Sequence, residues 1–256
     1  MRLKTLARTL GLLLLVSVFC PAQEITVAAA ADLQFAFQDV AERFQKDAGH
    51  SVKLIFGSSG NFFAQIQNGA PFDIFFSADI GYPQKLETAA LTEPGTLYEY
   101  ATGKIVLLAP KTSALDLKRG LPVLLDPKVK KIAIANPEHA PYGRAAVAAL
   151  QHEKLYGQAS PKFVLGENIS QTATFVISGS ADVGIVALSL ALAPSMKEKG
   201  NYVAIPDDEY PPIRQAAVIL KSSQQKEMAR QFLAFLKKPE IVSLLKTYGF
   251  TVPENQ

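Results

Sequence analysis

Cysteine is nearly missing from this chain, with Cys20 the single example, and tryptophan is absent altogether. One thiol can form no intramolecular disulfide and no cysteine metal cluster. Histidine is scarce too. His50 reads as a turn before a strand and His152 as a helix-surface residue, so only His139 approaches a cleft, packed in its proline-rich loop. Long apolar runs are equally few. The run at 10–19 is too short to span a bilayer, and no later stretch is long enough to do so. No internal repeat or low-complexity segment is present.

What stands at the start is "MRLKTLARTLGLLLLVSVFCPAQE". Arg2, Lys4 and Arg8 precede the apolar run, and Cys20-Pro21-Ala22 follows it, the layout of a secretory signal peptide cut after Ala22. Acylation at Cys20 is the second reading, disfavoured by the bulky Phe19. The whole chain has 26 basic and 23 acidic residues, a formal charge of +3. Without the three basic residues of the leader, the mature chain carries 23 of each sign. The basic excess therefore belongs to the leader and gives no argument for nucleic acid or membrane binding. The mature product is expected to be exported, soluble and monomeric.

Five apolar runs announce strands: 24–31, 51–57, 131–137, 163–168 and 181–189. The first four each lead into a helical pattern, such as Leu33, Phe37, Val40 and Phe44 on one face after the first. Apolar strands alternating with helices predict mostly parallel sheets covered on both faces. The runs at 103–110 and 214–221 break the alternation and are read as two passages between a pair of α/β lobes, a two-strand hinge. The expected division is a leader at 1–22, lobe 1 at 23–102 plus 208–256, and lobe 2 at 103–207. The stretch 80–102 is expected to be irregular.

Four strand-to-helix junctions stand out: Ala30-Ala31-Asp32, Gly57-Ser58-Ser59-Gly60-Asn61, Ala140-Pro141-Tyr142-Gly143 and Asn168-Ile169-Ser170-Gln171. Each offers the unpaired N–H groups of a helix start, and ligands of open parallel sheets sit beyond the carboxyl ends of the strands. Four starts around one cleft would grip a small anion with few charged side chains. Each is equally readable as an ordinary capped end. In the second junction the small residues would let the anion meet backbone N–H groups.

The blocks "ITVAAAADL", "FGSSGNFFAQIQNGAPFDIFFSAD", "GKIVLLAPK", "IAIANPEHAPYGRAA", "ADVGIVALS" and "YGFTVP" together resemble the periplasmic molybdate-binding proteins of ABC transporters. The resemblance covers essentially the whole mature chain. It implies a two-lobe "flytrap" fold holding molybdate or tungstate between the lobes, no further cofactor, and delivery to a membrane permease with its ATPase. Carried over by position, it places the oxyanion on Ala31 or Asp32, on Ser59, and on the backbone N–H groups of Tyr142 and Ile169. Two departures are visible: the first block has Ala31 and Asp32 where a hydroxyl or amide is usual, and Ala187 stands where some members have tyrosine.

Asp32 keeps two readings. It caps its own helix, accepting from Gln34 or Phe35, or its carboxylate enters the pocket and argues for a protonated ligand such as hydrogen phosphate. The rival functions are accordingly a receptor for phosphate, sulfate or an organic acid and, in another class, a hydrolase using Ser59. A nucleophile elbow would need glycine at 61, where Asn61 stands. Asp207-Asp208-Glu209 reads as a solvated hinge turn, and Arg144 and Arg214 as surface or hinge ion pairs.

Overall fold

A computed structural model describes residues 24–253. The expected leader at 1–22, with Cys20, lies outside them. Strands β1 (Glu24–Ala30), β2 (Ser51–Gly57), β3 (Ile74–Ser77) and β4 (Tyr98–Gly103) come first in the chain. They are followed by β5 (Ile105–Pro110), β6 (Ile132–Ala135), β7 (Phe163–Gly166), β8 (Val183–Ala187), β9 (Gly200–Ala204) and β10 (Ile213–Ile219). The helices are α1 (Gln34–Ala48), α2 (Ser59–Gln67), α3 (Gly81–Thr88), α4 (Pro141–His152) and α5 (Tyr156–Ala159). After these come α6 (Ile169–Ile177), α7 (Leu188–Ala191), α8 (Pro194–Lys197), α9 (Lys226–Leu236) and α10 (Pro239–Thr247).

The strands form two five-stranded sheets of matching topology, β2-β1-β3-β10-β4 and β7-β6-β8-β5-β9. In each, one strand runs against the other four: β10 in the first sheet and β5 in the second. These are the first strands after the two crossings, between Gly103 and Ile105 and between Ala204 and Ile213. The matching order makes β1 and β2 the counterparts of β6 and β7. The molecule is a two-lobe α/β fold in which the same pair of neighbouring parallel strands ends at the cleft from either side.

Alternation along the strands sorts the core of the first lobe. Ile25, Val27 and Ala29 of β1 face α1, α9 and α10, while Ala28 faces the other layer with Phe62 and Leu86. Edge-to-face rings tie the first layer together, with Phe37 to Phe76 at 4.8 Å and Phe44 to Phe232 at 5.1 Å. The last two helices thus return to the first lobe, as the sequence suggests. Helix α1 ends at Gly49, whose φ of 72° suits glycine and whose N–H returns to Gln45 O.

The stretch 80–102 is more regular than expected, since it holds α3 and most of β4. Its turn signals are real but confined to 89–97. The β4 segment "YEYATG" is a strand because Tyr98, Tyr100 and Ala101 bury against the first core.

Candidate functional site

Beyond the carboxyl ends of β1, β2, β6 and β7 lies a small interlobe cavity lined by Ala30, Ala31, Asp32, Ser58, Ser59, Ala140, Tyr142, Asn168 and Ile169, among others. All five residues singled out in the sequence, Ala31, Asp32, Ser59, Tyr142 and Ile169, line it. Among the described residues no lysine or arginine does. The cavity is small.

The donors follow from how the helices start. Ala31 opens a 3-10 turn (Ala31–Leu33), Ser59 opens α2, Ile169 opens α6, and Tyr142 follows Pro141, which sits well at a first helical position. Ala30, Ser58 and Ala140 make no side-chain cap. Asn168 does cap its helix, accepting from Ser170 N and Gln171 N at 3.0 Å each, which leaves Ile169 N uncommitted. Among the described residues the N–H groups of Ala31, Ser59, Tyr142 and Ile169 have no protein acceptor. Ser59 Oγ accepts from Ala78 N at 3.0 Å, so its own proton remains available as a further donor.

Asp32 does not cap its helix. No side chain caps the 3-10 turn or α1, and the Asp32 carboxylate turns toward the lobe interface instead. Its Oδ2 accepts from Tyr142 Oη at 2.9 Å and from Gln215 Nε2 at 2.7 Å. Tyr100 Oη donates to Gln215 Oε1 at 2.7 Å, which directs the amide nitrogen toward both Asp32 and Tyr142 Oη. Asp32 is 1 % exposed. Burial pushes its carboxyl up to about 6 against the opposing pull of the Gln215 and Tyr142 hydrogen bonds and, least, of its own backbone N–H. The Tyr142 and Tyr100 phenols are raised well above their ordinary range, by burial first and then by the Asp32 charge.

A belt of contacts closes the lobes around the cavity. Gly60 N and Ser58 Oγ both donate to His139 O, at 2.9 and 2.5 Å. Ser189 Oγ donates to Asp32 O at 2.7 Å, and Asn61 Nδ2 to Glu167 Oε1. Arg144 pairs with Asp79 at 2.5 Å and donates to Tyr82 Oη. Arg214, by contrast, pairs with Glu99 within the first sheet, between β10 and β4. Lys104 pairs with Asp207 in the return turn at 2.6 Å.

Gly60 therefore has a different purpose from the one read in the sequence. Its N–H is used by the opposite lobe, and a Cβ there would lie 2.6 Å from His139 O and 2.8 Å from Tyr82 Oη. The missing side chain makes room for the other lobe's backbone.

The row Ser58, His139, Glu167 has the residue types of a hydrolase but not the geometry. His139 Nδ1 is 2.9 Å from Ser58 Oγ, yet that hydroxyl is already donated to His139 O. His139 Nε2 is 3.7 Å from Glu167, too far for a hydrogen bond. Ser59 has neither a histidine nor a carboxylate among its hydrogen-bond partners. The arrangement can hold an acceptor-only ion, and Ser59 has no base among its hydrogen-bond partners.

The sequence pattern of the bacterial extracellular solute-binding proteins matches residues 25–251. The chain is 40% identical over 233 residues to the molybdate-binding protein ModA of Azotobacter vinelandii, covering 90% of this chain and 92% of that one. Its identity to the protein of the same name from Rhodobacter capsulatus is 36% over 244 residues, with 95% and 94% covered. Among solved structures, the periplasmic molybdate-binding protein of Azotobacter vinelandii superposes with a TM-score of 0.85 at 37% identity, over 90% of this chain and all of that one. A family pattern matched over residues 25–251, with relatives 36–40% identical over 90% or more of the chain, means that this chain belongs to the bacterial extracellular solute-binding protein family.

Proposed function

We propose that this protein captures molybdate or tungstate outside the cytoplasm and delivers it to an ABC permease and its ATPase. The observation that carries the reading is the convergence of four uncommitted helix-start N–H groups on one compact, cation-free cavity. Hydrogen bonds to a charged group are worth about 1.5–3 kcal/mol each, so these donors with Ser59 Oγ suffice to hold a dianion without lysine or arginine. The protein supplies hydrogen bonds to the ligand's oxygens and no atom to its metal, so the oxyanion is cargo and not a cofactor. The ligand-binding residues in this reading are Ala31, Ser59, Tyr142 and Ile169 through backbone N–H groups, Ser59 also through its hydroxyl, and Asp32 beside them. The relatives with molybdate in their names favour that ion over others of the same shape.

Both lobes contribute donors, so the closed form alone offers the full set and ligand shifts the open-closed equilibrium toward it. The crossings at 103–105 and 204–213 serve as the hinge, which divides the chain into 23–102 plus 208–256 and 103–207. A monomer released into the periplasm after removal of the leader fits this work. The protein binds and releases its ligand unchanged and is not an enzyme.

One observation favours a second reading. A carboxylate lining an anion site suits a ligand that brings its own proton, as hydrogen phosphate does. Thermal unfolding of the mature protein against molybdate, tungstate, sulfate and phosphate separates the two. A ligand at 100 times its Kd adds about 2.7 kcal/mol. Stabilisation by molybdate and tungstate alone supports the proposal; stabilisation by phosphate alone replaces it with the second reading.

A further inference from the structure

Among the described residues Asp32 is the only acidic one lining the oxyanion cavity, and its two oxygens are treated very differently. Oδ2 accepts two hydrogen bonds, from Tyr142 Oη and Gln215 Nε2. Oδ1 is buried and has no partner. An ionised carboxylate left half unsatisfied is costly in itself, and beside a bound dianion it is also repelled. Among the described residues no cation pairs with it. The titratable groups that face it are Tyr142 from α4 and Tyr100 from β4, both neutral phenols. Gln215 faces it from β10, and Ser189 of α7 bonds only its carbonyl. The start of α6 and the first turn of α1 present Ile169, Ser170 and Gln34, none of them charged. At the cavity rim Arg144 is held by Asp79, Glu167 by Asn61, and His139 by Ser58.

A proton at Oδ1 resolves each of these difficulties together. It neutralises the group, and it converts the orphan acceptor into a donor next to a ligand that can only accept. Resting on the oxyanion reading above, we propose that Asp32 takes a proton from solvent as the lobes close on the ligand, so that each dianion is bound together with one proton. Tyr142 and Gln215 occupy Oδ2 and thereby leave Oδ1 as the place for it. Burial, outweighing the hydrogen bonds that pull the other way, already holds this carboxyl at about 6 in the closed form, and a dianion alongside raises it further. In the open form, exposed to water, the group returns toward the ordinary carboxylate range and releases the proton with the cargo.

The test is titration calorimetry of the mature protein with sodium molybdate from about pH 6 to about pH 8, in two buffers that differ in ionisation heat. The expected result is buffer-dependent heat reporting uptake of up to one proton per ion. The Kd should weaken with rising pH by as much as tenfold per pH unit. For Asp32→Asn the Kd, whatever its level, should be flat with pH and the heat the same in both buffers. A wild-type Kd that is flat, with no buffer dependence, overturns the proton uptake while leaving the molybdate reading intact. An equal pH slope in Asp32→Asn overturns it as well, by placing the proton elsewhere. Binding of phosphate but not molybdate, without proton uptake, puts the proton on the ligand and defeats the proposal. No molybdate heat under any condition defeats both readings. The wild-type profile decides by itself should the variant fold poorly.

Discussion

Tyr142 Oη donates to Asp32 Oδ2 at 2.9 Å, tying a helix of the second lobe to the turn that follows β1 of the first. Both groups are buried, so the bond forms only when the lobes are together. Gly103 makes space for it: a Cβ there would lie 2.1 Å from Tyr142 Oη and 2.6 Å from Gln215 Nε2. Tyr142→Phe keeps the ring and the backbone N–H but removes this donor and the acceptor of Gln215 Nε2. The closed form should lose about 1–3 kcal/mol, and molybdate should bind about tenfold more weakly or worse by calorimetry. A Kd within a factor of two of wild type would show that the bond contributes nothing to closure.

To the extent that the ligand-free protein rests with its lobes closed, its stability should carry the signature of Asp32. The unfolded carboxyl titrates near 3.8 and the folded one near 6. Between those values the folded state keeps a proton that the unfolded state has released. The stabilisation is thus complete below about pH 3.8 and is lost as pH rises through 6, a difference of about 3 kcal/mol. Asp32→Asn cannot ionise. It should be more stable than wild type at pH 7 by about 1–3 kcal/mol, the gap closing as pH falls toward 4. Urea unfolding of both proteins at pH 7 and pH 4.5 measures the gap. A gap that does not change between the two pH values contradicts an ionised, buried Asp32.

The cavity was legible in the sequence because its parts are local. A strand, a turn of small residues, Pro141 or Asn168, and a helical pattern each mark a helix start within a few positions, and parallel sheets bring such starts to one edge. The fate of Asp32 was not legible. Its partners stand 110 and 183 residues away, at Tyr142 and Gln215. An aspartate at a helix start reads as a cap from its neighbours alone. Gly60 was misread for the same reason, since only the closed lobes bring the His139 carbonyl to it. Segment 80–102 was hidden differently. Its turn signals at 89–97 outweighed the alternating β4, whose partner β10 comes more than a hundred residues later.

Gly60→Ala should separate folding from closure. Alanine is favoured over glycine in a helix by about 1 kcal/mol, so α2 itself is not weakened. The added methyl collides with the His139 backbone, which approaches only on closure, and meets Tyr82 Oη of its own lobe, the far end of a side chain that can give way. The melting temperature of the ligand-free variant should therefore stay close to that of wild type, while molybdate affinity falls at least tenfold. Wild-type affinity would mean that the lobes can meet without this contact.

Ser59→Ala tests the one side-chain hydroxyl assigned to the ligand. Ser59 Oγ takes a hydrogen bond from Ala78 N and has a proton left over, while the Ser59 N–H is retained in the variant. Removing the hydroxyl takes away a charge-assisted donor worth about 1.5–3 kcal/mol, so the Kd for molybdate should rise by about 10- to 150-fold. It also leaves Ala78 N without its acceptor, a loss that unfolding experiments on the ligand-free protein read separately. If the ligand-free stability falls and the Kd does not change, the hydroxyl only anchors β3 to α2, and the anion is held by backbone N–H groups alone. If the Kd rises with stability corrected for, the hydroxyl touches the ligand. Hydrolysis by the wild type that disappeared in this variant would instead return Ser59 to the role of nucleophile.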